Sequence, residues 1–151
     1  MQRGPRGFRT DVATSQRMAA IRQRDTSPEA AVRTAMKELG IRFRANVRSL
    51  PGSPDIANKA KKFAVFVQGC FWHHHAGCKR ATIPRRNRAL WTAKFAQNRK
   101  RDERVAHRLS DMGYRVVVIW ECEAERPAAV RSKLRGLSGL QMRKPRRVNV
   151  R

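Results

Sequence analysis

The chain is short of acid. Its 151 residues hold 11 Asp plus Glu against 35 Lys plus Arg, a formal net charge of +24. That imbalance exceeds what solubility requires and points to a polyanionic partner. The chain also lacks any apolar run near the roughly 20 residues that a membrane-spanning helix needs. It has no basic stretch followed by an apolar core to mark a signal peptide, so a soluble intracellular protein is expected. Cysteine is scarce, and three is an odd number, which disfavours a self-contained disulfide framework. With four histidines present, the cysteines direct attention to a metal site instead. Internal repeats are absent. What remains is ample for one compact domain, because 40% hydrophobic residues can supply a core and exclude wholesale disorder.

Residues 1–17 are rich in Gly, Arg, Gln and Ser without helical or strand period and read as a flexible basic arm. At Thr26-Ser27-Pro28-Glu29, Ser27 suits an N-cap, Pro28 the first helical position, and Glu29 the positive end of the helix dipole. Val32, Met36 and Leu39 form the buried stripe of that helix, and Gly40 falls where a left-handed cap ends it. Ile41, Phe43, Ala45 and Val47 alternate with polar and basic residues, which predicts a half-buried strand. Asp55-Ile56-Ala57 and the apolar run 63–67 predict a hairpin whose second arm is central and covered on both faces. A helical pattern runs from Asn87, through Leu90, Trp91, Lys94, Phe95, Val105, Leu109 and Met112, to Gly113. Residues 114–120 predict a second strong strand. Nine basic and no acidic residues follow Glu125, with a short helix expected from Pro127 and a basic tail from Arg143. Helix, strands, helix, strand and helix in this order predict an α/β layer around a small mixed sheet.

The loop after the central strand carries the densest chemistry. Cys70, His75 and Cys78 stand as C-x4-H-x2-C, and Cys122 follows the last strand. Three thiolates and one imidazole complete a tetrahedral shell for structural zinc. Spacing leaves His73, His74 and His75 all open as the fourth ligand, with short spacing to Cys78 favouring His75. The bland alternative is a pair of small buried cysteines beside exposed histidines. Asp55, following Pro54, offers a hard oxygen ligand for magnesium beside substrate phosphates, although an aspartate after proline is more often a turn residue. Phe71 and Trp72 lie among histidines and arginines, where base stacking and core packing are equally good readings. On pattern alone, Trp91 and Trp120 belong to the core.

Residues 18–29, 50–56, 69–78, 87–102 and 113–122 together resemble the very short patch repair (Vsr) DNA mismatch endonucleases, in family order across residues 18–123. The resemblance implies a restriction-endonuclease-like PD-(D/E)XK fold, a small mixed β-sheet flanked by helices with a structural zinc site. It implies magnesium-dependent nicking of one strand of double-stranded DNA beside a T:G mismatch. The enzyme would be a cytoplasmic bacterial monomer working with mismatch-repair accessory proteins. Residue by residue, Asp55 matches the magnesium-binding aspartate, His73 the catalytic histidine and Glu29 an assisting acid. Val67 matches a position whose backbone carbonyl binds magnesium. Cys70, His75, Cys78 and Cys122 match the zinc ligands, and Phe71, Trp72 and Trp91 the aromatics that wedge into DNA, which moves Trp91 from core toward contact. Gln68 departs from the family's usual histidine or aspartate, so its contact to DNA is altered and cannot carry charge. The implied organisation is an arm at 1–17, an endonuclease domain at 18–125 and a basic extension at 126–151 that adds sequence-independent affinity. Two other functions compete: a nucleic-acid-binding module without turnover, and a nuclease of related fold acting on another DNA substrate in restriction or defence.

Overall fold

The computed structural model describes residues 26–138; the expected arm at 1–17 and the tail from Arg143 lie outside the described residues. Helix α1, Ser27–Glu38, starts one residue earlier than Ser27 as N-cap would require. Thr26 stays extended and its Oγ1 accepts from Glu29 N at 3.5 Å, which leaves Ser27 free to enter the helix ahead of Pro28. The helix closes as expected at Gly40, whose φ is +67°. Gly40 N donates to Lys37 O and Ile41 N to Met36 O, both at 3.0 Å, the paired bonds of a Schellman end.

The strand expected over 41–48 shrinks to β1, Arg44–Ala45. Two features end it. Asn46 turns to φ +52°, and Phe43 and Val47 pack into different cores, so the segment crosses the sheet edge and cannot lie flat along it. Strand β2, Ile56–Asn58, pairs antiparallel with β3, Phe63–Gln68, in the expected hairpin. The turn between them uses the Asn58 side chain, whose Oδ1 accepts from Lys61 N at 2.9 Å.

From β3 the chain passes through the cysteine-rich loop to α2, Arg88–Asp111, and returns as β4, Arg115–Trp120, parallel to β3. Such a connection is what parallel strands need. The end of α2 repeats the glycine device, with Gly113 N donating to Ser110 O and Tyr114 N to Leu109 O at 2.9 Å. The four strands lie in the order β1-β2-β3-β4. Alternation along β3 sends Phe63 and Val65 to one core and Ala64 and Phe66 to the other, as expected for a strand covered on both faces. α2 packs Leu109 and Val105 over the second face.

The last two helices change the domain boundary. α3, Glu121–Ala124, continues directly from β4, and α4, Pro127–Ser138, follows. Val130, Leu134 and Leu137 of α4 are buried in the same core as Val32 and Met36 of α1. The compact unit therefore runs at least to Ser138 and does not stop at 125, because burying these apolar residues removes from water a stripe that an appended basic tail would leave exposed. Among the described residues no helix is long and apolar enough to cross a membrane.

Candidate active site and metal centre

Asp55 immediately precedes β2, and pairing of Ile56 with Val65 sets it beside the end of β3. Its Oδ2 accepts from Val67 N at 2.7 Å, while its carbonyl accepts from Asn46 N at 2.8 Å. The loop before it depends on Gly52, at φ +72°, where a Cβ would stand 2.4 Å from Val105 Cγ1 of α2; no other residue permits that approach. Burial pushes the Asp55 carboxyl up to about 6, the charge of Glu29 adds to the rise, and the Val67 N–H offsets part of it. A carboxylate held unwillingly next to a second carboxylate is a cation-seeking arrangement. Glu29, on the first turn of α1, is 4% exposed, with an Arg33 nitrogen at 3.8 Å.

A charge on His73 lowers the Asp55 carboxyl, the smallest of the effects acting on it. His73 Nδ1 lies 2.6 Å from Asp102 Oδ2 on α2. With the Asp102 carboxylate accepting, Nδ1 carries the proton and Nε2 is the basic nitrogen. Asp102 has no role in the sequence reading, yet it was findable: Trp91, Phe95, Asn98 and Asp102 share one face of α2 at helical spacing. Gln68 closes β3 and is 8% exposed. It lines a cleft of about 270 Å³ between α2 and the sheet with Asp102, Trp120 and apolar side chains such as Phe66 and Val118, so it sits inside the protein beside Asp102.

Cys70, His75, Cys78 and Cys122 come together with their ligand atoms all within 4.8 Å of one another. His75 Nδ1 is 3.7 Å from Cys70 Sγ and 3.5 Å from Cys122 Sγ. Bond lengths of about 2.3 Å to sulfur and 2.0 Å to nitrogen around a tetrahedral centre give ligand separations of roughly 3.5 to 3.8 Å, so the cluster is able to hold a metal such as zinc. Among His73, His74 and His75, only His75 joins the group. Burial first, and then the neighbouring Cys122 and Cys78 thiols, push the Cys70 thiol up to about 12, a penalty that a bound dication reverses. The Arg80 N–H lowers the Cys78 thiol. Trp120 lies face to face with His75, ring centroids 4.1 Å apart and planes 8° from parallel.

Phe71 and Trp72 of the same loop form one aromatic cluster with Trp91 and Phe95 of α2. Phe71 meets Trp72 at 5.2 Å and both Trp91 and Phe95 at 5.4 Å, each edge to face. Lys94 Nζ stands 5.5 Å from the Trp72 ring and 5.6 Å from that of Trp91, and Asn98 Nδ2 donates to Trp72 O at 2.9 Å. Phe71 and Trp72 are half-buried, whereas Trp91 is 3% exposed. Trp91 thus occupies the core position that its helical pattern predicts, backing the two rings that reach solvent.

A loop able to hold a metal, a half-buried and a buried carboxylate and a histidine held by a third, all on a strongly basic chain, are what a phosphodiester-cleaving class of protein requires. Comparison with known proteins specifies it. Residues 9–80 match the family described as DNA mismatch endonuclease Vsr. Over 80% of this chain and 88% of the other, it is 39% identical to the Type II nicking enzyme V.XorIIP of Xanthomonas oryzae pv. oryzae. It is 36% identical to V.NmeAIP of Neisseria meningitidis, over 85% of this chain and 94% of that one. To the DNA mismatch endonuclease Vsr of Escherichia coli it is 39% identical, over 74% of this chain and 72% of that one. The chain belongs to the Vsr family and is a DNA endonuclease, acting on phosphodiester bonds.

Proposed function

We propose that this endonuclease nicks one strand of duplex DNA beside a T:G mismatch and so begins very short patch repair, with a magnesium ion at the active site and zinc in the cysteine cluster. Two observations support the reading: the carboxyl of Asp55 feels the charges of both Glu29 and His73, and His73 Nδ1 pairs with Asp102 at 2.6 Å. On this reading Asp55 and the Val67 carbonyl would hold magnesium, which when bound supplies stabilisation of charge on the phosphate and leaving oxygen, and Glu29 assists as a neighbouring acid. His73 Nε2 takes a proton from the attacking water, whose oxygen forms a bond to phosphorus as the opposite phosphorus–oxygen bond breaks. Asp102 keeps the imidazole in the tautomer that can accept that proton and stabilises the imidazolium afterwards. Phe71 and Trp72 enter the base stack, with Trp91 as the support against which they press. Gln68, in the cleft beside Asp102, contributes hydrogen bonds without charge. The fold is read as PD-(D/E)XK-like, the enzyme as a monomer acting on cytoplasmic bacterial DNA.

A second reading is favoured by the naming of several relatives as Type II nicking enzymes: the same centre would cut a DNA substrate belonging to restriction. One assay separates the two. Duplexes carrying each single mispair, in several flanking contexts, are incubated with enzyme and magnesium and scored for strand nicking. Preference for T:G supports the first reading; equal cutting of a fully paired duplex at a fixed sequence supports the second. Equal nicking by Asp55→Ala and wild type would remove Asp55 from either mechanism.

A further inference from the structure

α4 lies outside the residues matched to the family, 9–80, yet one of its side chains reaches the strand that ends at the metal cluster. Lys133 Nζ donates to Glu123 Oε2 at 2.6 Å and to Val118 O at 2.9 Å. The same Glu123 oxygen accepts from Trp120 N at 3.0 Å. One ammonium therefore ties together both sides of the β4–α3 junction, the short stretch that carries Trp120 and Cys122. Among the described residues β4 is the terminal strand of the sheet, and no further strand holds this junction in place. Without Lys133, Val118 O would lose this partner and Glu123, whose side chain is 18% exposed, would keep a largely desolvated charge.

We infer that Lys133 is a positioning residue of the metal centre, holding the β4–α3 junction so that Cys122 and the Trp120 ring meet His75. The inference rests on the zinc reading of the cysteine cluster. The geometry gives the path: Lys133 binds Glu123, Glu123 binds the Trp120 backbone, and the Trp120 ring lies 4.1 Å from the His75 ring. A second clamp, Arg80 to Glu125 at 2.7 Å, has side chains 41% and 61% exposed and is weakened by solvent, so the less exposed Lys133 knot carries more of the constraint. A lysine suits the place because its ammonium has several donors and can serve two acceptors at once. Outer partners of metal ligands commonly shift metal affinity by roughly 10- to 100-fold when removed.

The test uses the full chain loaded with zinc, and reads zinc content and the rate of zinc transfer to a chromogenic chelator, with circular dichroism as a check on folding. Lys133→Met should release zinc about tenfold faster, Glu123→Gln should do the same, and Lys133→Arg should stay near wild type. Leu134→Ala, which loosens the core face of α4 while leaving the knot intact, should lower the melting temperature without matching that release rate. The proposal is overturned if Lys133→Met releases zinc at the wild-type rate, or if Leu134→Ala accelerates release equally. If Lys133→Met does not fold, Glu123→Gln decides on the same criteria. A wild-type chain that binds no zinc would sink the metal reading and this inference with it, whereas a zinc-loaded wild type with an indifferent Lys133 would sink this inference alone.

Discussion

Asp55→Asn should abolish nicking and at the same time make the protein more stable. A carboxyl held at about 6 in place of its ordinary 3.8 binds its proton more tightly in the folded state than in the unfolded one. Stability therefore falls as pH rises from about 4 to about 6 and stays at the lower level above that. The full cost of ionising Asp55 in the fold is about 3 kcal/mol, of which solvent reaching the half-buried carboxylate removes a part. The amide oxygen of an asparagine can still accept from Val67 N, so the substitution deletes the charge and keeps the bond. At pH 8 the variant should exceed wild type by roughly 1 to 3 kcal/mol, or roughly 3 to 10 °C in melting temperature for a domain of this size. At pH 4 the difference should vanish. Melting is followed by circular dichroism at both pH values with zinc held constant, so that the cysteine cluster contributes equally to both proteins. Magnesium should raise the wild-type midpoint at pH 8 and leave the variant unmoved. An advantage that is absent at pH 8, or the same at pH 4 and pH 8, would refute the reasoning that this carboxylate is a strained cation ligand.

Asp102→Asn should cost on the order of 100-fold or more in nicking rate, because the amide no longer fixes the His73 tautomer; an unchanged rate would remove Asp102 from the site. Trp72→Ala should weaken binding to a mismatched duplex by about 1 to 3 kcal/mol with little change in melting temperature. Trp91→Ala should instead cost about 3 to 5 kcal/mol of stability, given its 3% exposure; denaturant unfolding of both variants would expose an error if the two patterns were exchanged. Gly52→Ala places a Cβ at 2.4 Å from Val105 Cγ1 in a left-handed conformation and should destabilise by roughly 2 kcal/mol, lowering nicking through the displaced Asp55 loop; a thermal melt at the wild-type midpoint would contradict the close approach.

Local order along the chain was legible because each signal was local. Glycine at residues 40 and 113 ends two helices for the same reason, a left-handed cap that other residues resist. The hairpin of β2 and β3 followed from two apolar runs around a polar turn, and β4 from the apolar run at 114–120 after the long helical pattern. Where a neighbour in space decides, sequence patterns mislead. The alternation over 41–48 is real, but Phe43 and Val47 serve opposite cores, so only Arg44–Ala45 pairs as strand. Ser27 and Thr26 are both good caps by type, and the extended backbone at Thr26, whose hydroxyl accepts from Glu29 N, chooses between them.

By itself the sequence determined the ligand chemistry: three thiols and one imidazole with the right count, a carboxylate after Pro54, two aromatics on a basic loop, and a charge of +24 that calls for a polyanion. Tertiary structure decided which of three consecutive histidines joins the cysteines, because chain direction through residues 73–75 sends each ring to a different neighbour: Asp102, Phe95 and the thiols in turn. It alone brought Asp102 to His73 across 29 residues and Glu29 into the field of Asp55. It also packed the short helix expected from Pro127 into the core as α4, whose apolar stripe lies beside α1 and whose lysine reaches the strand leading to Cys122. Pairing between residues distant in the chain depends on packing that no local period encodes, and there the composition of the segment says least about its place.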